Sequence, residues 1–283
     1  IMTLIAILWN ADAFPLLGFA FLQEQFYALE LGLALAAVFL SWRLDRSRTG
    51  QAPWYDWALA AAALMLFFWL AWDFDGLKSR EFANSTIFGA VMGGVIALFV
   101  IEALRRTAGY VILAVVLVFL LYAPFAWLVP GPLAGPKVEI WNIASNLGFN
   151  PNAIFGIPLD VGTSVALTFI LFGQVLFRAG GGQFFTDLAM SSVGRRRGGA
   201  AKISIVASAL FGTISGTAVS NVVTTGIITI PLMRKAGYKP TDAGAIEAIA
   251  STGGQLMPPV MGIAAFLMAE FLDIPYADVA LAA

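Results

Sequence analysis

The chain has 283 residues, 60% of them hydrophobic and only 12% charged, with a mean hydropathy of +0.85 and a formal net charge of −1. That balance excludes a soluble domain with a polar surface, and it offers no basic face for nucleic acid. Histidine and cysteine are both absent, which excludes disulfides, thiolate and imidazole metal sites and histidine general-base chemistry together.

In chain order, residues 1–8 read as the tail of another span. Neither Ile1 nor Ala283 looks like a natural terminus, so we expect a piece of a longer chain. Apolar runs bounded by charge or turn residues then predict spans over 26–42, 57–72, 87–104, 110–129 and 161–177. Arg43, Arg46 and Arg48 place the loop after the first of these on the cytoplasmic side, and Arg105 with Arg106 do the same after the third. The segments 72–85 and 130–160 carry few basic residues and read as extracytoplasmic loops. Trp54, Trp57, Trp69, Trp72 and Trp127 fall near the expected interfaces. The Pro-, Gly- and Asn-rich stretch after Val129 suggests three parts: residues 1–130 of ordinary hydrophobic helices, a linker over 131–160, and residues 161–283 with many small polar residues. A short amphipathic piece over 184–193 is expected to lie along the inner surface, followed by the topogenic run Arg195, Arg196 and Arg197.

The most informative stretch is 203–232, ISIVASALFGTISGTAVSNVVTTGIITIPL. It is apolar enough for a bilayer, yet Gly212, Ser215, Gly216, Thr217, Ser220 and Asn221 crowd its middle. Arg195 to Arg197 and Lys202 precede it and Arg234, Lys235 and Lys239 follow it, so both ends belong on one face. A single helix of that length would run roughly 45 Å, too long for one upright crossing, whereas two arms of about 11 residues reach roughly 16 Å, near the midplane. We therefore expect a re-entrant hairpin with a polar tip. Residues 243–270 form a second element, interrupted for about a turn at Ser251, Thr252, Gly253, Gly254, Gln255, Met257, Pro258 and Pro259. Two breaks at similar depth free backbone carbonyls and hydroxyls that suit a hard cation such as sodium, while freed amides suit an anionic solute.

These residues resemble a known family. GGAAKISIVASALFGTISGTAVSNVVTTGIITIPLMRKAGY and AIEAIASTGGQLMPPVMGIAAFLMAEFLDIPY are similar to the first hairpin and first broken helix of the large membrane subunit of tripartite ATP-independent periplasmic (TRAP) transporters. The wording STGGQLMPPVMG resembles the branch served by TAXI-type binding proteins, and the whole chain resembles the fused form joining small (Q-type) and large (M-type) subunits. The resemblance implies an all-α polytopic elevator-type carrier of the bacterial inner membrane, not an enzyme, with residues 1–130 small-subunit-like and 161–283 a truncated transport domain. It further implies sodium as coupling ion with no other cofactor or metal, a carboxylate-type solute, and a TAXI-type periplasmic binding protein as partner beside membrane lipid, with no nucleic acid. On this sequence it places the ion site at Gly212, Ser215, Gly216, Thr217, Ser220, Asn221, Ser251, Thr252, Gly253 and Gly254. The substrate pocket falls at Asn221, Gln255, Met257 and Pro258.

The remaining charges read more plainly. Glu247, five residues past Asp242, is expected near the cytoplasmic interface, solvated or paired, while Glu102 pairs with Arg105 and Arg106. Glu30 is expected to snorkel and Asp160 to cap the span that follows it. A membrane enzyme lacks the necessary residues here. The alternatives are a sodium-coupled di- or tricarboxylate symporter that works without a binding protein, and a non-transporting scaffold.

Overall fold

The computed structural model describes residues 2–16, 18, 21–43, 53–84, 87–150, 152–259 and 261–283, and all regular structure among them is helical. Among the described residues, five helical runs are long and apolar enough to cross a membrane: Gln23–Ser41, Trp54–Trp72, Ile87–Thr107, Tyr110–Leu128 and Ile157–Arg178. They coincide with the five predicted spans but start up to four residues earlier. Gln25 explains one early start, because its Oε1 accepts the Leu22 N–H at 2.9 Å and caps a turn that hydropathy leaves out. Trp54 and Trp72, the first and last residues of their helix, are both 79% exposed, as aromatic belts at two interfaces would be.

By its contacts the chain divides into two compact units, Ile1–Asp160 and Val161–Ala283. In the first, Gly32 lets Gln23–Ser41 press against Phe67 of Trp54–Trp72, where an added Cβ would stand 2.6 Å from the Phe67 Cβ. The predicted loop 72–85 is instead a helix, Phe74–Asn84. Phe74 and Leu77, three residues apart and buried, anchor it, with the Phe74 ring against Phe149 and Phe155. The segment 131–160 is likewise more than a linker, since Ile140–Phe149 forms a helix along Ile87–Thr107. Gly93 and Gly148 allow that approach, an added Cβ on Gly93 falling 1.9 Å from the Ala144 carbonyl oxygen.

Two charged residues depart from their sequence reading. Glu30 does not snorkel: it is 1% exposed, on the face of Gln23–Ser41 that packs inward. Asp160 is no N-cap, because its helix already begins at Ile157. Glu102 does pair with Arg105 at 2.8 Å and Arg106 at 2.7 Å, but Arg106 is itself buried and reaches across to a buried Asp56 at 2.8 Å. A buried acid thus meets a buried base at one end of this helix cluster.

In the second unit, the run Ile157–Arg178 contains a π-helical turn, Gly162–Ala166. The amphipathic piece is the helix Gly181–Val193, whose Ala189 packs with Ile203 and Ala207. The hairpin follows as a first arm, Gly199–Ser215, and a second arm, Ala218–Lys235. Their lengths of 17 and 18 residues exceed the 11 expected, because each helix continues outward through its basic end. After them come the half-helix Pro240–Gly253, a 3-10 turn Gly254–Leu256, and the helices Ile263–Leu272 and Tyr276–Ala282. Phe266 stacks between Phe169 and Tyr276, and Met261, Ala265 and Val279 close a small core beside it.

Candidate functional site

The hairpin turns at two residues. Gly216 ends the first arm in the left-handed region at φ +60°, which glycine enters without a Cβ penalty, and extended Thr217 starts the second arm. The arms run antiparallel, with the Ser208 and Thr225 hydroxyls 3.0 Å apart across them. The segment 203–232 therefore enters and returns, and its basic flanks lie at the same end.

The hairpin tip rests on the break in the second element. A Cβ on Gly216 would stand 2.5 Å from the Met261 carbonyl oxygen, so only glycine lets the two backbones meet there. Met261 is itself left-handed at φ +61° and 4% exposed, a conformation that costs a side-chain-bearing residue about 1 kcal/mol or more. The Gly262 N–H, donating to the Gln255 carbonyl at 2.7 Å, closes the loop around the break. One turn deeper the first arm crosses the 3-10 turn glycine to glycine, a Cβ on Gly212 falling 2.5 Å from the Gly254 Cα. Asn221 fastens the crossing: wholly buried, its Nδ2 donates to the Ser208 carbonyl at 2.8 Å and more distantly to the Ser251 carbonyl at 3.5 Å. The Ser215 hydroxyl, at the tip, is buried and has no hydrogen-bond partner among the described residues.

The other expected site residues divide by face. Ser251 and Gly254 are buried with the hairpin, and Thr217 and Ser220 are half-buried at the start of the second arm. Thr252 and Gly253 are exposed, and the Thr252 hydroxyl turns back to the Ala248 carbonyl at 2.7 Å. Gln255 is half-buried, whereas Met257 and Pro258 are exposed, Met257 beside an apolar groove of about 390 Å³ that also includes Ile205 and Ile249. The interruption begins later than the sequence suggests. Helix persists through Gly253 and tightens into the 3-10 turn, with Met257 N–H donating to Gly254, because a proline removes only its own amide and the first one stands at 258.

Sequence reasoning missed the densest polar cluster of this unit. Glu247 is not solvated but wholly buried, and among the described residues it has no ion pair while five hydroxyls from three helices surround its carboxylate. Ser204 donates to Oε2 at 2.6 Å and Ser208 to Oε1 at 3.1 Å from the first arm. Thr225 and Thr229 donate to Oε1 and Oε2 from the second arm, and Ser251 to Oε1 at 3.2 Å from the half-helix itself. Gly226 makes room, since a Cβ there would stand 3.3 Å from the Glu247 Cγ. The signal in the sequence is three polar pairs at a spacing of four, Ser204 with Ser208, Thr225 with Thr229 and Glu247 with Ser251, each marking one face of an otherwise apolar helix.

Residues 95–283 match the family described as "Tripartite ATP-independent periplasmic transporter, DctM component". Among curated relatives, the uncharacterized protein YgiK of Salmonella typhimurium is 37% identical over 102 residues, 36% of this chain and 23% of that protein. The C4-dicarboxylate TRAP transporter large permease protein DctM of Vibrio cholerae is 31% identical over 121 residues, 42% of this chain and 27% of that one. The ectoine/5-hydroxyectoine TRAP transporter large permease protein UehC of Ruegeria pomeroyi is 30% identical over 116 residues, 41% and 25% of the two chains. The matched stretch thus spans about a quarter of each relative's length. No solved structure matches.

Proposed function

The chain belongs to the DctM component family of tripartite ATP-independent periplasmic (TRAP) transporters, and from that premise we propose that it is the permease of a sodium-coupled carrier in the bacterial inner membrane. Its solute is a carboxylate-bearing organic molecule delivered by a periplasmic binding protein of the TAXI type, and its two units correspond to a small-subunit-like part fused to the start of an elevator-type transport domain. The observation that carries this reading is the seating of Gly216 on Met261, which brings a hairpin tip and a helix break to one place. Interrupted backbone of that kind, enclosed by protein, is how secondary carriers build midplane sites.

The donor set fits a hard monovalent cation. Ser215 supplies a buried hydroxyl with no partner among the described residues, and the left-handed residues Gly216 and Met261 turn their carbonyls, hard oxygen donors, out of helical register. We assign the ion to Ser215, Gly216, Thr217 and Ser220 facing the break, with Gly212, Asn221, Ser251 and Gly254 holding the two elements at the required distance. Thr252 and Gly253, on the outer face, join the site only if the half-helix rotates. Gln255, Met257 and Pro258 flank the break where the solute's apolar part would lie, and the amides that open the second arm and Ile263–Leu272 would face its carboxylate.

The test is uptake by liposomes holding the permease expressed from its complete open reading frame. Accumulation is expected only with an inward sodium gradient and the cognate binding protein together. Uptake without the binding protein would favour a self-sufficient symporter, and no uptake of any carboxylate under any gradient would remove the carrier reading.

A further inference from the structure

We propose that the groove between the amphipathic helix Gly181–Val193 and the base of the hairpin binds one anionic phospholipid of the cytoplasmic leaflet, phosphatidylglycerol being the simplest such lipid. The inference rests on the membrane location read above, with the basic ends of the hairpin inside, and not on what the chain carries. The groove has a volume of about 960 Å³ and three walls. Asp187 and Met190 line it from the amphipathic helix, Gly199 and Ile203 from the first arm, and Leu232 and Ala236 from the end of the second.

Packing sets these walls in place. Ala189 packs with Ile203 and Ala207, which seats the amphipathic helix on the first arm. The chain then folds back through residues 194–199 so tightly that a Cβ on Gly199 would stand 2.3 Å from the Gly194 carbonyl oxygen, and this turn carries Arg195 to the edge of the groove. Met190, Ile203, Leu232 and Ala236 give the groove an apolar part that suits a hydrocarbon chain. Phe184 and Leu188, one turn apart and 61% and 44% exposed, extend the apolar surface along the same helix, as a helix lying at the headgroup boundary requires.

Charge selects the headgroup. Arg195 to Arg197, Lys202, Arg234, Lys235 and Lys239 are all exposed, and among the described residues none of them forms an ion pair. Helical spacing brings two of them to the groove beside Arg195. Lys202 stands three residues past Gly199 and Lys235 three past Leu232, so each shares a face with the lining of its arm. Asp187 is the one acid between residues 181 and 239, and its Oδ1 accepts from Gln183 Nε2 at 2.8 Å. Mostly helical chain separates it from Arg195 by roughly 12 Å, so a phosphodiester can sit at the basic end while its acyl chain lies along the apolar part. A free inorganic anion would leave that apolar part wet, and a zwitterionic lipid would bring an ammonium to a rim of cations. An anionic lipid meets both halves of the groove.

Photo-crosslinking in nanodiscs that hold the full-length permease tests this directly. The probes are phosphatidylglycerol and phosphatidylcholine bearing the same diazirine-tagged acyl chain, each as a minor component of a zwitterionic bilayer. Peptide mass spectrometry should place phosphatidylglycerol adducts on residues 187–203 and 232–236, several-fold above those of phosphatidylcholine, with the preference shrinking at high salt. Arg195→Gln should lower this labelling about fivefold, the worth of one basic residue at an anionic surface, and Asp187→Asn should raise it. Ala236→Trp fills the apolar part and should reduce labelling although every charge remains. Equal labelling by the two lipids at these segments would overturn the proposal, as would labelling unchanged in Arg195→Gln. Weaker labelling in Asp187→Asn would give the groove to an ammonium headgroup instead, and displacement of the probe by inorganic phosphate would give it to a free anion. Should Arg195→Gln fail to fold, the two-lipid comparison on the wild type and the other two variants decide alone. Nanodiscs expose both leaflets, so the result stands even if the hairpin's basic ends prove to face outward, which would remove only the cytoplasmic assignment.

Discussion

At the scale of single residues, glycine is where this structure can be tested most sharply. Gly253 and Gly254 are neighbours of identical chemistry, yet an added Cβ at Gly253 meets nothing within 4 Å, whereas at Gly254 it would stand 2.7 Å from Asn221 Nδ2 and 2.8 Å from the Ser208 carbonyl oxygen. Gly253→Ala should therefore be neutral or raise stability by up to about 1 kcal/mol through helix propensity. Gly254→Ala should lower the melting temperature, because a backbone crossing must open. Gly216→Ala combines a left-handed φ, costing roughly 1–2 kcal/mol, with a clash on the Met261 carbonyl, and should cost more than the φ alone. Thermal unfolding of the three variants in detergent checks the order. Equal effects at Gly253 and Gly254 would mean that the crossing is not as close as described.

At the scale of elements, the hairpin and the half-helix are joined by polar groups rather than by bulk. Asn221→Ala would strip the donor from two buried carbonyls, those of Ser208 and Ser251, at a cost of about 1–3 kcal/mol. Asn221→Asp should cost more, since it sets an acceptor against the same carbonyls. Measured melting shifts in the reverse order would show that Asn221 does not fasten the crossing. How far the sequence discloses these elements follows from their physics. The spans and the hairpin were legible because apolar length, basic flanks and a cluster of small residues are local quantities. The helix Phe74–Asn84 was not, because its anchor is the contact of Phe74 with the distant Phe149 and Phe155. Glu247 was misjudged for the same reason: distance along one helix placed it near the cytoplasmic end, but its burial is decided by Ser204, Ser208, Thr225 and Thr229 on two other helices. Of the expected site, burial set Ser215, Asn221 and Ser251 apart from the exposed Thr252 and Gly253, a division that depends on which face of each helix the neighbours cover.

At the scale of the whole molecule, the decisive quantity is sidedness. The basic residues lie in loops and at helix ends that alternate with acid-bearing segments along the chain, and a bilayer sorts such segments so that lysine and arginine stay on the cytoplasmic face. Because the hairpin arms are antiparallel, Arg195 before the first arm and Lys235 at the end of the second should face the same side. Lys137 lies one predicted span earlier, in a segment poor in basic residues, and should face the other. All three side chains are exposed, and these 283 residues contain no cysteine, so single substitutions can be read without background from within them. In cells treated with a membrane-impermeant maleimide, Lys137→Cys should label from outside, while Arg195→Cys and Lys235→Cys should label only after the membrane is opened. Labelling of Arg195→Cys and Lys235→Cys from opposite faces would make the segment between them a single crossing. The meeting of its middle with Met261 would then no longer lie at the end of a re-entrant loop, and a mid-membrane ion site would lose its geometric basis.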